Sequence, residues 1–193
     1  VMFNLDRKDA LHASCEIALN VTGASKAAIF LLEPEIDNLM KCTRSIGFGD
    51  SDFVDSIPYQ PELFQHGARI ITDVDLSDDE HIKEQAVAGG FKACAGIPLR
   101  SGNTIVGTLN VYHDSSYFYE ATELNLLEML TNQITAALDN ADLLQALELY
   151  AAEQAQLVHL SRISGGTLEL ERIIHDICQM LEQMMHVSRV AIG

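Results

Sequence analysis

The feature that most restricts the fold is a stretch without glycine or proline, which begins after Gly107 and ends before Gly165. Within it apolar residues recur at alternating spacings of three and four, a pattern typical of a helix with one apolar seam. These residues are Leu127, Leu130, Ile134, Ala137, Ala141 and Leu144. One helix of about 40 residues would be about 60 Å long. That length exceeds the width of a small domain, so we expect its second half to pack outside the domain.

The chain also repeats itself, because residues 5–29 align without gaps on residues 168–192. Both copies have the pattern of an amphipathic helix, a turn and a strand. Between the long helix and the second copy, the sequence SRISGGT at 161–167 predicts a break, with Thr167 able to cap the next helix. We therefore expect three regions, namely a domain at 5–145, a helical connector at 146–166 and the truncated start of a second domain at 167–193.

The remaining elements are short. In chain order the patterns predict a helix at 7–22, strands at 26–33, 38–47 and 68–74, a helix from Ser77 to Gly89 and Gly90, and strands at 91–99 and 104–112. Ser77 begins an S-x-x-E capping box, which is why we place a helix start there. Gly102 and Asn103 lie between the last two strands and indicate a hairpin.

Charge and cysteine usage exclude several kinds of partner. The chain has 12 Lys and Arg against 28 Asp and Glu, a net charge of −16. Such a chain repels phosphate backbones and anionic lipid, so we expect no nucleic-acid or membrane partner. The four cysteines are scattered and none forms a C-x-x-C motif. We expect four free thiols and a cytoplasmic location.

The order of elements resembles the GAF domain family. The resemblance is carried by residues 89–144, which include "FKACAGIPLRSGNTIVGTLNVY" and the leucine-rich start of the long helix. It covers residues 5–145 and restarts at about 168. It implies a PAS-related α+β fold with a central antiparallel sheet. The first and last helices would lie on one face, a ligand pocket on the other, and a long connector helix would follow.

The resemblance also implies a class of function. GAF modules are typically cytoplasmic sensors, so we expect a regulatory module of a multidomain signalling protein such as a two-component sensor kinase or response regulator. A downstream output domain would be its partner, and the module itself would not be an enzyme. Two alternatives stay open. One is a ligand-free dimerisation spacer. The other is a cysteine-dependent enzyme resembling the free-methionine sulfoxide reductases, with Cys94 and Cys42 as candidate residues.

Alternation along the strand TIVGTLNVY predicts which side chains face a pocket, because successive residues of a strand point to opposite faces. Three apolar residues would pack under the long helix: Ile105, Leu109 and Val111. Three alternate residues would then face a small-molecule ligand: Thr108, Asn110 and Tyr112. The segment 69–94 would complete the pocket with Asp73, His81 and Cys94.

Known cofactors of the family fit the sequence poorly. Cyclic-nucleotide-binding relatives carry an Asn, Lys, Phe, Asp, Glu signature, whereas the equivalent positions here hold His113, Asp114, Phe118, Thr122 and Glu123. An acid therefore stands where the cation should be, which disfavours a cyclic nucleotide.

Other prosthetic groups are also disfavoured. Bilin-binding relatives use a Cys followed by His, but Glu, Thr, Ala and Gln follow the cysteines here, so we expect no covalent bilin. Haem needs an axial ligand, and the histidines of the variable region, His66 and His81, have the pattern of solvated loop residues. The acids between Asp73 and Glu80 lack the spacing of a calcium loop, so we expect no metal. The ligand stays unidentified.

The helices predict a parallel homodimer. The seam described above would pair with its twin, and small residues at Ala137 and Ala141 would allow close approach. The second-copy helix adds an apolar stripe that includes Ile177. Leaving such a stripe in water is costly, since each buried side chain of this kind contributes about 1.5–3 kcal/mol.

Overall fold

The computed structural model describes residues 2–33, 38–49 and 55–185, with side chains left undescribed for 2–7, 157–173 and 181–185. The chain divides into two compact units, the first ending at Asp142 and the second beginning at Leu143. Within the described ranges, no helix has an apolar stretch long enough to cross a bilayer.

The first unit is built around an antiparallel sheet. Its strands are β1 (Lys26–Leu32), β2 (Leu39–Ile46), β3 (Ser56–Pro58), β4 (Arg69–Ile71), β5 (Ala93–Ser101) and β6 (Thr104–His113). The helices are α1 (Met2–Thr22), α2 (Glu80–Gly89) and α3 (Ala121–Met185), with 3₁₀ turns at Pro61–Phe64 and Val74–Leu76. The strand order is β3-β2-β1-β6-β5-β4. The predicted α+β architecture is confirmed.

One face of the sheet is covered by α1 and the beginning of α3. The apolar stripe of α1 includes Leu11 and Cys15, both buried against the sheet. Leu109 and Val111 of β6 belong to the same buried cluster, as does Leu127 of α3. The predicted helix-facing side of the last strand is confirmed at Leu109 and Val111, and the first and last helices share one face as expected. The prediction for Ile105 is wrong, since Val106 packs against this cluster in its place, where the pairing with β5 shifts register between Leu99 and Arg100.

The opposite face carries a second, smaller cluster. Phe30 and Met40 are buried there together with Ile82 of α2 and Tyr112 of β6. This cluster has fewer covering elements than the helical face, because only α2 and short segments pack over it. The candidate site lies on this side.

The hairpin of β5 and β6 forms the longest ladder of the sheet. Its register runs from Ala93 opposite His113 to Ser101 opposite Thr104. Gly102 at the turn has φ of 59°, a left-handed conformation that glycine adopts without strain. The predicted hairpin is confirmed.

The start of α2 differs from the prediction. The N-cap is Asp79 rather than Ser77, because the Asp79 carboxylate accepts hydrogen bonds from the N–H groups of His81 and Ile82. The Ser77 hydroxyl instead accepts from the N–H of Asp79, at 3.2 Å. The predicted helix end is confirmed, since Gly90 is left-handed at the C-cap.

The third predicted strand is shorter than expected. Only Arg69–Ile71 pairs with β5, and the chain then bends into the 3₁₀ turn at Val74–Leu76. The bend is stabilised locally, because the Asp73 carboxylate accepts a hydrogen bond from the N–H of Asp75 at 2.9 Å.

The predicted break at 161–167 is wrong, since α3 continues through Gly165 and Gly166 as one helix of 65 residues. Unlike proline, glycine keeps its N–H group and costs a helix only about 1 kcal/mol relative to alanine. Thr167 is therefore inside a helix and does not cap one. The expected turn at 34–37 and the last strand of the second copy lie outside the described residues, and the regions 146–166 and 167–193 stay predictions.

An aromatic cluster joins the end of β6 to the beginning of α3. The His113 ring stacks on Tyr117 with centroids 3.7 Å apart, and both rings contact the edge of Tyr119. The Nε2 atom of His113 is buried and has no hydrogen-bond partner among the described residues. Burial lowers the pKa of His113, although the nearby carboxylates of Glu123 and Asp114 oppose the shift.

This cluster predicts a pH dependence of stability. Because the pKa of His113 is lower in the folded than in the unfolded protein, the unfolded chain binds the proton first as pH falls below about 6.5. The free energy of unfolding should therefore fall between about pH 7 and 5. His113→Phe keeps the stacking ring without the titrating group and should lose less stability over this interval in urea unfolding. Equal losses in the wild type and the variant would contradict the assignment.

Candidate functional site

A partly enclosed cleft of about 60 Å³ lies on the sheet face opposite α1. Its floor is formed by β5 and β6, and α2, β4 and the segment around the first 3₁₀ turn form its walls. The apolar lining includes Met40, Ile57, Leu63, Phe64, Ile71 and Ile82. The polar lining consists of Gln60, Arg69, His81, Gln85, Asn110 and Tyr112.

Asn110 and Tyr112 form the polar centre of the floor. The Asn110 Nδ2 group donates to the Tyr112 hydroxyl at 3.1 Å. The Oδ1 atom of Asn110 is buried and has no partner among the described residues. The free group of this amide is therefore an acceptor, which a ligand with an O–H or N–H group could use.

Tyr112 is held in an apolar environment. Burial raises the pKa of its hydroxyl well above the ordinary value, with a smaller contribution from Cys94. Its ring packs against Phe48 and Phe91, with centroids 5.3 and 4.8 Å away. The group is therefore a neutral O–H, able to donate and accept hydrogen bonds but unsuited to act as a base at neutral pH.

Phe64 closes part of the cleft. Its side chain is 7% exposed and lies over Gly96 of β5, where an added Cβ would be 3.4 Å from the ring and 2.9 Å from Asn110 Oδ1. Glycine at this position therefore permits both the ring and the amide to approach the strand. Arg100 donates a hydrogen bond of 2.6 Å to the carbonyl oxygen of Phe64 and holds the turn in place.

The rim is formed by charged and polar groups that pair with one another. Arg69 contacts Asp79 at 2.5 Å, and Asp79 also caps α2. Desolvation alone would raise the pKa of Asp79, but the hydrogen bonds from Arg69 and the helix N–H groups together outweigh it and lower the pKa. His81 and Gln85 lie one turn apart on α2, with their nitrogens 3.1 Å apart. The rim is thus pre-arranged, and its cation is already neutralised.

The four cysteines are free, and burial raises the pKa of three of their thiols. Burial raises the pKa of Cys94 to about 12 and that of Cys15 to about 12. Cys42 is less buried, and its pKa is raised to about 11 for the same reason. Cys42 on β2 and Cys94 on β5 are separated by β1 and β6. These two thiols therefore do not form a neighbouring pair.

Four of the six predicted pocket residues line the cleft, namely Asn110, Tyr112, His81 and Cys94. The other two predicted residues do not line it. Thr108 shares the face but is fully buried, between Phe30 and Pro98 of the flanking strands, with its hydroxyl unpartnered among the described residues. Asp73 lies outside the cleft and accepts a hydrogen bond from Ser116 at 2.7 Å.

Sequence reasoning missed three important residues, Phe64, Arg69 and Gly96. A signal for Gly96 existed, because glycine inside a strand often marks a close approach of another group. Phe64 lies in a polar stretch without periodicity, and nothing local indicates where its ring goes.

Two of the acids between Asp73 and Glu80 have structural roles beside the cleft. Asp75 pairs with Lys92 at 3.1 Å, and Asp79 caps α2. Among the described residues, no three His, Cys, Asp or Glu side chains come together as metal ligands would.

The predicted helix seam divides into two parts. Leu127, Leu130 and Ile134 are buried in the domain core and are not available to a partner. The physical reason is that the first turns of α3 cover the sheet. The later seam residues are different, because Ala137, Leu144 and Ile177 are exposed and Ala141 is half-buried.

Comparison with known proteins identifies one family. The model of a family described as GAF domain matches residues 4–139. No curated protein matches the chain in sequence.

Several solved structures share the fold. A domain from a protein described as a two-component sensor histidine kinase of Sinorhizobium meliloti 1021 has 17% identity and a TM-score of 0.62, covering 70% of this chain and 93% of that one. The blue-light-absorbing form of the Thermosynechococcus elongatus PixJ GAF domain has 13% identity and a TM-score of 0.62, with 79% and 95% covered.

A third structure is the GAF region of a protein described as a membrane protein from Geobacter sulfurreducens PCA. It has 20% identity and a TM-score of 0.60, and the alignment covers 71% of this chain and 95% of that one. At such low identities, these likenesses establish the fold alone.

The contribution of the hydrogen bond between Asn110 and Tyr112 to stability can be tested by substitution. Tyr112→Phe removes the partner of the Asn110 amide and leaves it wholly unpaired, so we expect the free energy of unfolding to fall by about 1–2 kcal/mol. Tyr117→Phe is the matched control, since its hydroxyl donates to Glu123 in a less buried place. The free energy of unfolding of that variant should fall by a smaller amount. Equal losses in urea unfolding would contradict the importance of the buried pair.

Proposed function

The chain belongs to the GAF domain family, and on that premise we propose that it is a sensor module of a multidomain signal-transduction protein, with a small molecule bound in the cleft. The proposal places the module in the cytoplasm, as part of a two-component sensor kinase or response regulator. The Sinorhizobium domain supports this class of host by analogy of fold. Four unpaired cysteines favour a reducing compartment.

The observation that carries the proposal is the unpartnered Oδ1 atom of Asn110. An unpaired buried acceptor costs about 1–3 kcal/mol, and a ligand that donates to it would recover this cost. Asn110 lines a cleft in which polar groups converge among a larger number of apolar or small residues, as in many small-molecule sites. A purely structural strand would be more stable with an apolar residue here.

Strand β6 offers a route from the cleft to α3. Asn110 and Tyr112 face the cleft, while Leu109 and Val111 between them pack in the cluster that contains Leu127. The Tyr119 hydroxyl donates to the carbonyl of Val111 at 3.4 Å, so the segment that leads into α3 is also bonded to this strand. A displacement of β6 by a ligand would reach the helix directly, and a shift of the helix would be the output.

Two alternatives differ in class. The spacer alternative is favoured by Phe64, which fills part of the cleft with a side chain of the protein itself. The cysteine-enzyme alternative is disfavoured by the thiols, since a catalytic thiol needs a lowered pKa whereas burial raises that of Cys94 to about 12. We therefore propose a module without catalysis of its own, whose output domain lies elsewhere in the protein.

A thermal-shift screen with a small-molecule library tests the ligand. At least one compound should raise the Tm of the wild type and not that of Asn110→Leu, because leucine has a similar size but no acceptor. A screen in which nothing stabilises the wild type would favour the spacer, and methionine sulfoxide reduction dependent on Cys94 would establish the enzyme.

Transmission of a displacement from the cleft through β6 to α3, called the relay below, requires a parallel homodimer through α3. Sedimentation tests whether this dimer forms. Leu144 is 49% exposed and Ile177 is 47% exposed, so each is free to contact a second copy. Leu144→Asp or Ile177→Asp should raise the dimer dissociation constant at least about tenfold, a cost of about 1.4 kcal/mol. Ala146→Asp, on the outer side of the same heptad, should have little effect. A wild-type monomer at tens of micromolar would refute the dimer.

A further inference from the structure

The cleft is too small for most ligands as long as the Phe64 ring is in place. Its volume of about 60 Å³ is far below the roughly 300–1,000 Å³ of typical ligand sites. An apolar cavity of roughly 150 Å³ holds one benzene molecule. Removing the Phe64 ring would add the volume of one aromatic ring and bring the cleft to that scale. The position of Phe64 is therefore a ready-made place for another ring.

Phe64 is attached to the domain by few interactions. It lies on the four-residue 3₁₀ turn at Pro61–Phe64, whose N-cap Gln60 makes no side-chain capping bond. The flanking strands β3 and β4 are three-residue strands at the two edges of the sheet. Two groups donate to the Phe64 carbonyl, Arg100 at 2.6 Å and the N–H of Gly67 at 3.2 Å. A short segment with so few hydrogen bonds to the sheet can open locally, and the main cost of opening is the exposure of the buried Phe64 ring.

The groups around the Phe64 ring indicate the chemistry of a ligand that could replace it. The Oδ1 atom of Asn110 lies beside the ring position over Gly96 and lacks a donor among the described residues. Arg69 is the only fully charged side chain among the described residues lining the cleft, and Asp79 neutralises it. No free charge is therefore offered to an ionic ligand, and the net charge of −16 repels anions.

We propose that the cleft takes an uncharged aromatic molecule carrying one O–H or N–H donor, which displaces the Phe64 ring over Gly96 and donates to Asn110 Oδ1. This proposal rests on the ligand-binding function proposed above and names its chemical class. Without a ligand, the Phe64 ring fills the place that the ligand would take. Ligand entry then requires the 3₁₀ turn to move outward, which breaks the hydrogen bond from Arg100 to the Phe64 carbonyl. This hydrogen bond is called the latch below.

The test compares phenol with toluene, two rings of similar size that differ in the donor, using calorimetry and thermal shifts on the full chain. Phenol should raise the wild-type Tm by about 3–6 °C at ten times its Kd. Phe64→Ala should bind phenol at least about tenfold more tightly than the wild type, because the site no longer has to be vacated. Arg100→Gln, which keeps the ring but removes the latch, should also bind phenol more tightly. Asn110→Leu should lose the preference for phenol over toluene.

Each outcome decides the proposal. Binding of neither ring by Phe64→Ala and Arg100→Gln would overturn it, as would equal affinity of the two rings for a protein that keeps Asn110. Should Phe64→Ala fail to fold, Phe64→Leu retains an apolar side chain without the ring and carries the same expectation. Stabilisation by a library compound without a ring would support the sensor function and overturn the aromatic class.

Discussion

The two-residue alternation of side chains along β6 is the constraint on which the rest of the domain depends. This strand lies in the middle of the sheet, between β1 and β5. Leu109 and Val111 enter the cluster under α1 and α3, whereas Asn110 and Tyr112 enter the cleft. A slip of one residue would exchange the two sets and place the amide in the apolar core. Core and site therefore specify the same register.

The two faces of the sheet differ in how completely their buried groups find favourable contacts. The helical face is packed with apolar residues, and each fully buried side chain there contributes about 1.5–3 kcal/mol. The other face holds two buried oxygens without partners among the described residues, on Thr108 and Asn110. A deficit of this kind is expected at functional sites, where local stability is exchanged for recognition. Phe64 does not relieve the deficit at Asn110, because its ring keeps water out and cannot itself donate a conventional hydrogen bond.

Helix α3 changes its role along its length. Its first turns complete the domain core through Leu127 and Ile134. Beyond Asp142 it exposes apolar side chains at Leu144, Leu147 and Tyr150, more than a solvated helix needs. A helix that is part of the core at one end and apolar on its surface at the other is suited to transmit a displacement. That property underlies the proposed relay.

The amino-acid sequence by itself determined the order of the longer elements up to α3, the hairpin at Gly102 and the two faces of β6 from Leu109 to Tyr112. It indicated neither the short strand β3 nor the continuity of α3 through Gly165. These features depend on periods of two and 3.6 residues and on turn chemistry, which are local. Only the tertiary structure decided which residues form the cleft. It brought Phe64 over Gly96 and turned Asp73 away toward Ser116. Such contacts join segments distant in the chain through stretches without periodicity, so their geometry is set by packing and not by any local pattern.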